Sequence, residues 1–295
     1  MTLILQEYRF PLHLEPRVES IWHVYSRAKA ERWDPSRSVD WARLDAGALP
    51  AAAREGARLA WSHRAWLLFG RLSETPSLLV RFCLERQRES DPKYFLSLRG
   101  TEEAWHLDVC HRVAERCGGF VAQPGNADYA ARFNQTLHRE VLDANLGLDE
   151  YVGAYVALRE HLEAALLHAA RVATTEPVLA SALDLMLRDK LRHAQFGWLY
   201  LGERRAQLDA ATRAAIADRA QDMLARFYAG GLMVPGFAPD IAGDVAEAQE
   251  RAAAAGLGVA SFAAQRQALR GALEDAGVRL AALGVEAKAL ALPNR

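Results

Sequence analysis

Hydrophobic residues recur every three to four positions along most of the chain, which is the period of a helix that buries one face. Runs of β-branched residues are scarce, so no strand is predicted. Two helix starts are marked by a capping residue close to a proline, in "ESDPKYF" and in "TTEPVLA". The pattern predicts helices that begin near residues 50, 76, 91, 147, 177 and 209, with shorter helices over 243–295. The predicted fold class is all-α.

Two irregular stretches divide this helical pattern. The first is the opening of the chain, which includes "RWDPSRSVDW", and the second is "AGGLMVPGFAPDIAGD". Proline and glycine at these points interrupt the helical period. We therefore predict an N-terminal extension over 1–44, a helical bundle over 45–230 and a C-terminal helical appendage over 231–295.

Charged residues lie within stripes that otherwise have the composition of a buried face. Glu103 and His106 follow Phe95 on one predicted helix, and Lys190 and His193 follow Met186 on another. A single histidine on an apolar face is most often a hydrogen-bonded core residue. The same insertion on two helices is harder to explain in this way, because buried charges must be paired or bind a metal.

The spacing between helices repeats as well. Glu74 lies 29 residues before Glu103, and Glu160 lies 30 residues before Lys190. Each half of the pattern thus supplies one glutamate from one helix and a pair spaced by three residues from the next. In a four-helix bundle such residues project into a shared centre.

These residues resemble the ligands of the ferritin-like di-iron carboxylate superfamily, and within it the aminobenzoate N-oxygenases. The resemblance covers roughly 33–204 and implies a ferritin-like antiparallel helical bundle. The residues that match metal ligands are Glu74, Glu103, His106, Glu160 and His193. By the same resemblance, Glu102 would orient His193, and Asp189 would orient His106. The chain departs from the pattern at Lys190, where the superfamily has a glutamate.

The lysine leaves several alternatives open. With one glutamate replaced, the ligand set has three carboxylates and one ammonium, so one divalent ion neutralises it. Lys190 would then fill the place of a second metal ion. Alternatively, a deprotonated Lys190 would serve as a ligand, a base or a nucleophile, which is the catalytic role we predict for it. Glu163, one turn after Glu160, is a further candidate ligand.

Composition excludes several other functions. The 36 basic and 37 acidic residues nearly balance, which argues against nucleic-acid binding. No apolar run approaches the length of a membrane span, which is roughly 18 residues. The three cysteines lack a metal-binding spacing, and reduced thiols indicate a cytoplasmic protein. A homodimer is a further expectation, which no feature of the sequence tests.

The resemblance implies a metal-dependent enzyme. We expect a non-haem oxidoreductase that uses O2 to oxidise a small organic molecule by N-oxygenation, hydroxylation or oxidative cleavage. Carboxylates and imidazoles suit iron, as one or two ions, or manganese. The alternative is a metal-poor relative that serves as a structural or regulatory partner of another protein. Iron storage is disfavoured because the centre is altered and the chain carries two extensions.

Overall fold

A computed structural model of the chain describes residues 19–86, 89–122, 125, 128–129, 137–286 and 292. These residues are mainly helical, and no strand occurs among them. The all-α prediction is therefore confirmed for this part of the chain. The predicted domain boundaries stay predictions, and the N-terminal part of the extension lies outside the described residues. No helix in the described ranges is long and apolar enough to cross a lipid bilayer.

The α-helices of the described ranges mostly follow the sequence pattern, except that Glu19–Ala30 is helical within the opening that the pattern predicted to be irregular, and Leu137–Val141 was not predicted. Their bounds are α1 Glu19–Ala30, α2 Ala51–Phe69, α3 Arg71–Glu85, α4 Asp91–Arg116, α5 Leu137–Val141, α6 Leu148–Tyr151, α7 Arg159–Ala173, α8 Pro177–Glu203, α9 Ala210–Met223, α10 Pro239–Ala254 and α11 Phe262–Ala282. A π-helical segment, Val152–Leu158, joins α6 to α7, and a second one, Leu224–Ala229, follows α9. Short 3₁₀ turns occupy Trp41–Arg43, Ala46–Ala48, Arg205–Gln207 and Pro235–Phe237.

Local signals explain most of the helix boundaries. Proline occupies the first turn of both α4 and α8, where its missing N–H costs nothing. The side chain that caps α8 is Glu176, which accepts from the N–H of Leu179, and not either of the preceding threonines. Gly118, with a φ of 123°, follows the end of α4. Pro76 lies inside α3 instead of starting it.

Two apolar clusters form the core, and a layer of charged residues separates them. Along α4 the chain passes from Phe95 in one cluster, through the charged residues, to Val109 in the other. Along α8 the order is reversed, from Met186 to Phe196. These two helices therefore run antiparallel, as expected for a helical bundle. We call this set of buried residues the charged layer. It consists of Glu74, Glu102, Glu103, Glu160, Glu163, Asp189, Arg71, Arg99, Arg159, Arg192, Lys190, His106 and His193.

The two C-terminal helices, α10 and α11, pack against earlier helices of the chain. Helix α10 packs on α2, where the side chain of Trp61 donates to the backbone oxygen of Leu257 over 2.9 Å. Helix α11 packs on α7.

Helix α8 approaches the π-helical segment so closely that a Cβ on Gly197 would lie 2.5 Å from the backbone nitrogen of Ala157. Glycine at 197 thus fixes the distance between the helices that carry the charged layer.

Candidate metal centre

The predicted ligand residues meet in the charged layer. Four segments supply them: α3 carries Glu74, α4 carries Glu103 and His106, α7 carries Glu160 and Glu163, and α8 carries Lys190 and His193. All of these side chains are buried, with at most 8% of their surface exposed. The structure therefore places side by side the residues that the two halves of the sequence pattern predict. Their role as metal ligands stays a prediction.

Both histidines contact the carboxylates expected to orient them. The Nε2 atom of His193 lies 2.8 Å from Oε2 of Glu102, and Nε2 of His106 lies 3.1 Å from Oδ2 of Asp189. A carboxylate accepts, so each Nε2 carries a proton, and in a neutral ring the lone pair then lies on Nδ1. Burial and the nearby Arg99 hold the pKa of His193 well below its usual range, which keeps this imidazole neutral.

Four buried arginines were missed at the level of the sequence. They are Arg71, Arg99, Arg159 and Arg192. Each lies three or four residues from a buried carboxylate on the same helix, which is the spacing of neighbours on one helical face. That spacing was readable in the sequence. It was overlooked because arginine is rarely fully buried.

The arginines and Lys190 occupy the carboxylates that a two-ion centre would need. Lys190 Nζ lies 2.7 Å from Oε2 of Glu160 and 2.8 Å from Oε2 of Glu163. Arg99 donates to Oε1 of Glu160 over 2.7 Å, and Arg71 donates to the same oxygen over 3.1 Å. Both oxygens of Glu160 are thus engaged. Despite burial, Lys190 and Arg99 hold the pKa of this carboxyl well below its usual range.

Glu74 is engaged in the same way. Arg159 and the hydroxyl of Tyr151 donate to its Oε1, the hydroxyl over 2.5 Å, and Arg71 donates to Oε2 over 3.4 Å. Although burial opposes it, Arg159 and Arg71 lower the pKa of Glu74 to about 2. The carboxylate is therefore ionised, but its lone pairs face cations and a hydroxyl.

Six buried side-chain atoms of the layer have no hydrogen-bond partner: three are guanidinium nitrogens of Arg99, Arg159 and Arg192, and three are atoms that could bind a metal. The three that could bind a metal are Oε2 of Glu103, Nδ1 of His106 and Nδ1 of His193. The two imidazole rings are stacked, with centroids 6.0 Å apart. Two histidines and one carboxylate are the donor set of mononuclear non-haem iron sites. Within the described residues, however, no three histidine, cysteine or carboxylate side chains are already arranged to hold a metal ion.

The charge of the layer limits how many divalent ions it accommodates. It contains six carboxylates and five cations, a net charge of −1 with neutral histidines. The carboxylates are Glu74, Glu102, Glu103, Glu160, Glu163 and Asp189, and the cations are Arg71, Arg99, Arg159, Arg192 and Lys190. One divalent ion changes this charge to +1, and two ions change it to +3. The residues therefore do not fit a two-ion centre, whereas zero or one ion leaves a single unbalanced charge.

A cavity of about 150 Å³ adjoins the charged layer. His106, Lys190, Arg71, Arg159 and Glu163 line it at the layer. Its remaining walls are mostly aliphatic, with Phe227 among them. Trp61 and Trp198 do not line this cavity and pack in or against the apolar clusters.

No family model matches the chain, and no curated protein matches it. Solved structures of R2-like ligand-binding oxidases do. A variant with an aerobically reconstituted Mn/Fe cofactor aligns with a TM-score of 0.68 and 16% identity, over 88% of this chain and 92% of that chain. A variant with an aerobically reconstituted Fe/Fe cofactor aligns with a TM-score of 0.65 over the same shares, also at 16% identity. At this identity the likeness establishes the fold, and the chain is an all-α, ferritin-like helical bundle.

Proposed function

We propose that this protein is a metal-dependent oxidase that uses O2 to oxidise a small organic molecule, and that its core holds one iron or manganese ion. The observation that carries the proposal is the set of three buried donor atoms without partners, on Glu103, His106 and His193. Leaving a buried polar atom unpaired costs about 1–3 kcal/mol. Three such atoms of the right chemistry in one layer are explained together by one bound ion.

The solved structures support the proposal by analogy of fold. The R2-like ligand-binding oxidases carry Fe/Fe or Mn/Fe cofactors, which shows that a similar bundle holds these metals. Here cations take up Glu74, Glu160 and Glu163, so we propose one ion in place of two. The resemblance to aminobenzoate N-oxygenases stays a proposal that rests on the sequence. The reaction, whether N-oxygenation, hydroxylation or oxidative cleavage, is equally a proposal.

The residues of the chain have separate roles in this proposal. Glu103, His106 and His193 would hold the ion, and a bound iron would supply the redox chemistry that O2 activation requires. Glu102 and Asp189 accept from Nε2 of the histidines, orient the rings and select the tautomer of the neutral ring in which the lone pair lies on Nδ1. Lys190 donates to two carboxylates, so we propose that it acts as a fixed positive charge and not as a base or nucleophile.

Anaerobic titration with ferrous iron, read by elemental analysis, tests the proposal. We expect about one iron per chain in the wild type and a large loss of bound iron in His106→Ala. His111→Ala is the matched control, because His111 lies on the same helix and is exposed. Two irons per chain at full occupancy would contradict the count.

A second candidate is a metal-free relative that acts as a structural or regulatory partner of another protein. It is favoured by the ion pairs of the layer and by the fact that, among the described residues, no three histidine, cysteine or carboxylate side chains are arranged for a metal. Iron binding equal in the wild type and in His106→Ala, or no iron bound at all, would support this second candidate.

A further inference from the structure

Arg64 lines the cavity at a distance from the charged layer. It lies on α2, seven residues before Arg71, with Leu67 and Leu68 on the same helical face between them. Arg71 begins the next helix, α3. Arg64 thus lines the cavity from α2, whereas Arg71, Arg159, Glu163 and Lys190 line it from the charged layer.

The guanidinium of Arg64 is incompletely satisfied. Its Nη2 donates to the backbone oxygen of Gly258 over 3.0 Å, and its Cζ lies 4.4 Å from the centre of the Trp61 ring. Its Nη1 atom is buried and has no hydrogen-bond partner. Burial lowers the pKa of Arg64, because no carboxylate offsets the loss of water.

The other cations that line the cavity differ from Arg64 in this respect. Arg71, Arg159 and Lys190 each contact at least one buried carboxylate. Glu163, the carboxylate of the lining, forms ion pairs with Arg71 and Lys190 and not with Arg64. In the part of the chain that the structure describes, Arg64 forms no ion pair. The uncompensated positive charge of the cavity therefore resides on Arg64.

We propose that Arg64 binds the carboxylate of a small organic acid whose apolar body fills the cavity. A planar guanidinium with a free edge matches a planar carboxylate, and a charge-assisted hydrogen bond would satisfy Nη1. A cavity of about 150 Å³ accepts a body about the size of a six-membered ring. This inference rests on the proposed function only in identifying the acid as the substrate, because binding of the acid to Arg64 requires no metal.

Binding to the metal-free, full-length chain tests this inference. The probes are cyclohexanecarboxylate and its neutral isostere cyclohexanecarboxamide, with affinities measured by isothermal titration calorimetry. We expect the wild type to bind the acid at least tenfold more tightly than the amide, and Arg64→Met to lose this preference. Arg54→Met is the control, because Arg54 lies on the same helix but does not line the cavity.

A conservative variant separates charge from folding. Arg64→Lys keeps the positive charge and is expected to retain part of the preference, whether or not Arg64→Met folds. The inference is overturned if the wild type binds acid and amide equally, if it binds neither at millimolar concentration, or if Arg64→Met keeps the preference. Because the protein is metal-free, these outcomes are independent of the iron count that tests the proposed function.

Discussion

Replacing Lys190 with methionine removes one positive charge from the interior while keeping a side chain of similar length. The ammonium of Lys190 makes two contacts, at 2.7 Å with Glu160 and at 2.8 Å with Glu163. Its loss changes the charge of the layer from −1 to −2. Breaking a buried ion pair costs about 3–5 kcal/mol, because the remaining charge stays buried without a partner.

The expected loss lies at the lower end of this range. Glu160 keeps Arg71 and Arg99 as partners, and Glu163 keeps Arg71. We therefore expect the free energy of unfolding of metal-free Lys190→Met to fall by about 3 kcal/mol. At about 2–4 °C per kcal/mol for a large domain, the Tm should fall by roughly 6–12 °C.

Urea unfolding followed by circular dichroism measures this change, and a second substitution tests its cause. Glu163→Gln in the Lys190→Met background restores the net charge of −1 and should recover at least half of the lost stability. Lys29→Met, at an exposed position, should change stability by no more than about 0.5 kcal/mol. The reasoning is refuted if Lys190→Met is as stable as the wild type, or if adding Glu163→Gln destabilises it further.

Three further predictions follow from the same contacts. Lys190→Glu should by itself bind fewer than two irons per chain in an anaerobic titration, because Arg99 still contacts Glu103 and Glu160. Adding Arg99→Gln frees both carboxylates from this contact and should allow two irons to bind. Equal iron counts in the two variants would show that Arg99 does not limit metal binding. His63 is neutral in the fold because burial lowers its pKa to about 3. The unfolded chain takes up a proton at this residue below about pH 6.5, so the free energy of unfolding should fall as the pH falls below that value. Urea unfolding at pH 6 and pH 5 should show that this fall is smaller by up to ~1.4 kcal/mol per pH unit in His63→Gln, and an unchanged fall would contradict the assignment. Gly197→Ala puts a methyl group against the backbone of Ala157 and should lower the free energy of unfolding by about 1–3 kcal/mol or more in the same assay, whereas Gly202→Ala, where the added methyl meets nothing within 4 Å, should not.

The helices could be predicted from the sequence because their signals are local. Hydrophobic period and prolines in first turns predicted the starts of α4 and α8 at their observed positions. Spacing alone places Glu103 and His106 on one helical face, since residues three apart are neighbours there. The position of His193 beside them, on another helix, was predicted from the resemblance to ferritin-like proteins. The contacts of the histidines with Glu102 and Asp189 were likewise expected from that resemblance and not from spacing.

The charge balance of the centre could not be predicted in the same way. A sequence shows that Arg99 lies four residues before Glu103, but not that its guanidinium also reaches Glu160 on another helix. Such contacts between helices depend on rotation and depth, which the hydrophobic period leaves undetermined. The single ammonium that the sequence singled out at Lys190 is therefore one of five cations. The expectation of one neutralising metal ion drew on an incomplete count.

The interlocking ion pairs of the charged layer also constrain how this sequence can change. Because Arg71 contacts Glu74, Glu160 and Glu163, replacing any one of these carboxylates removes a partner from Arg71, and replacing Arg71 removes a partner from all three. A path of single substitutions toward a two-metal centre, or toward a fully apolar core, passes through folds that are less stable than either end. The layer thus isolates this chain in sequence space, and its centre is expected to change only by paired replacements.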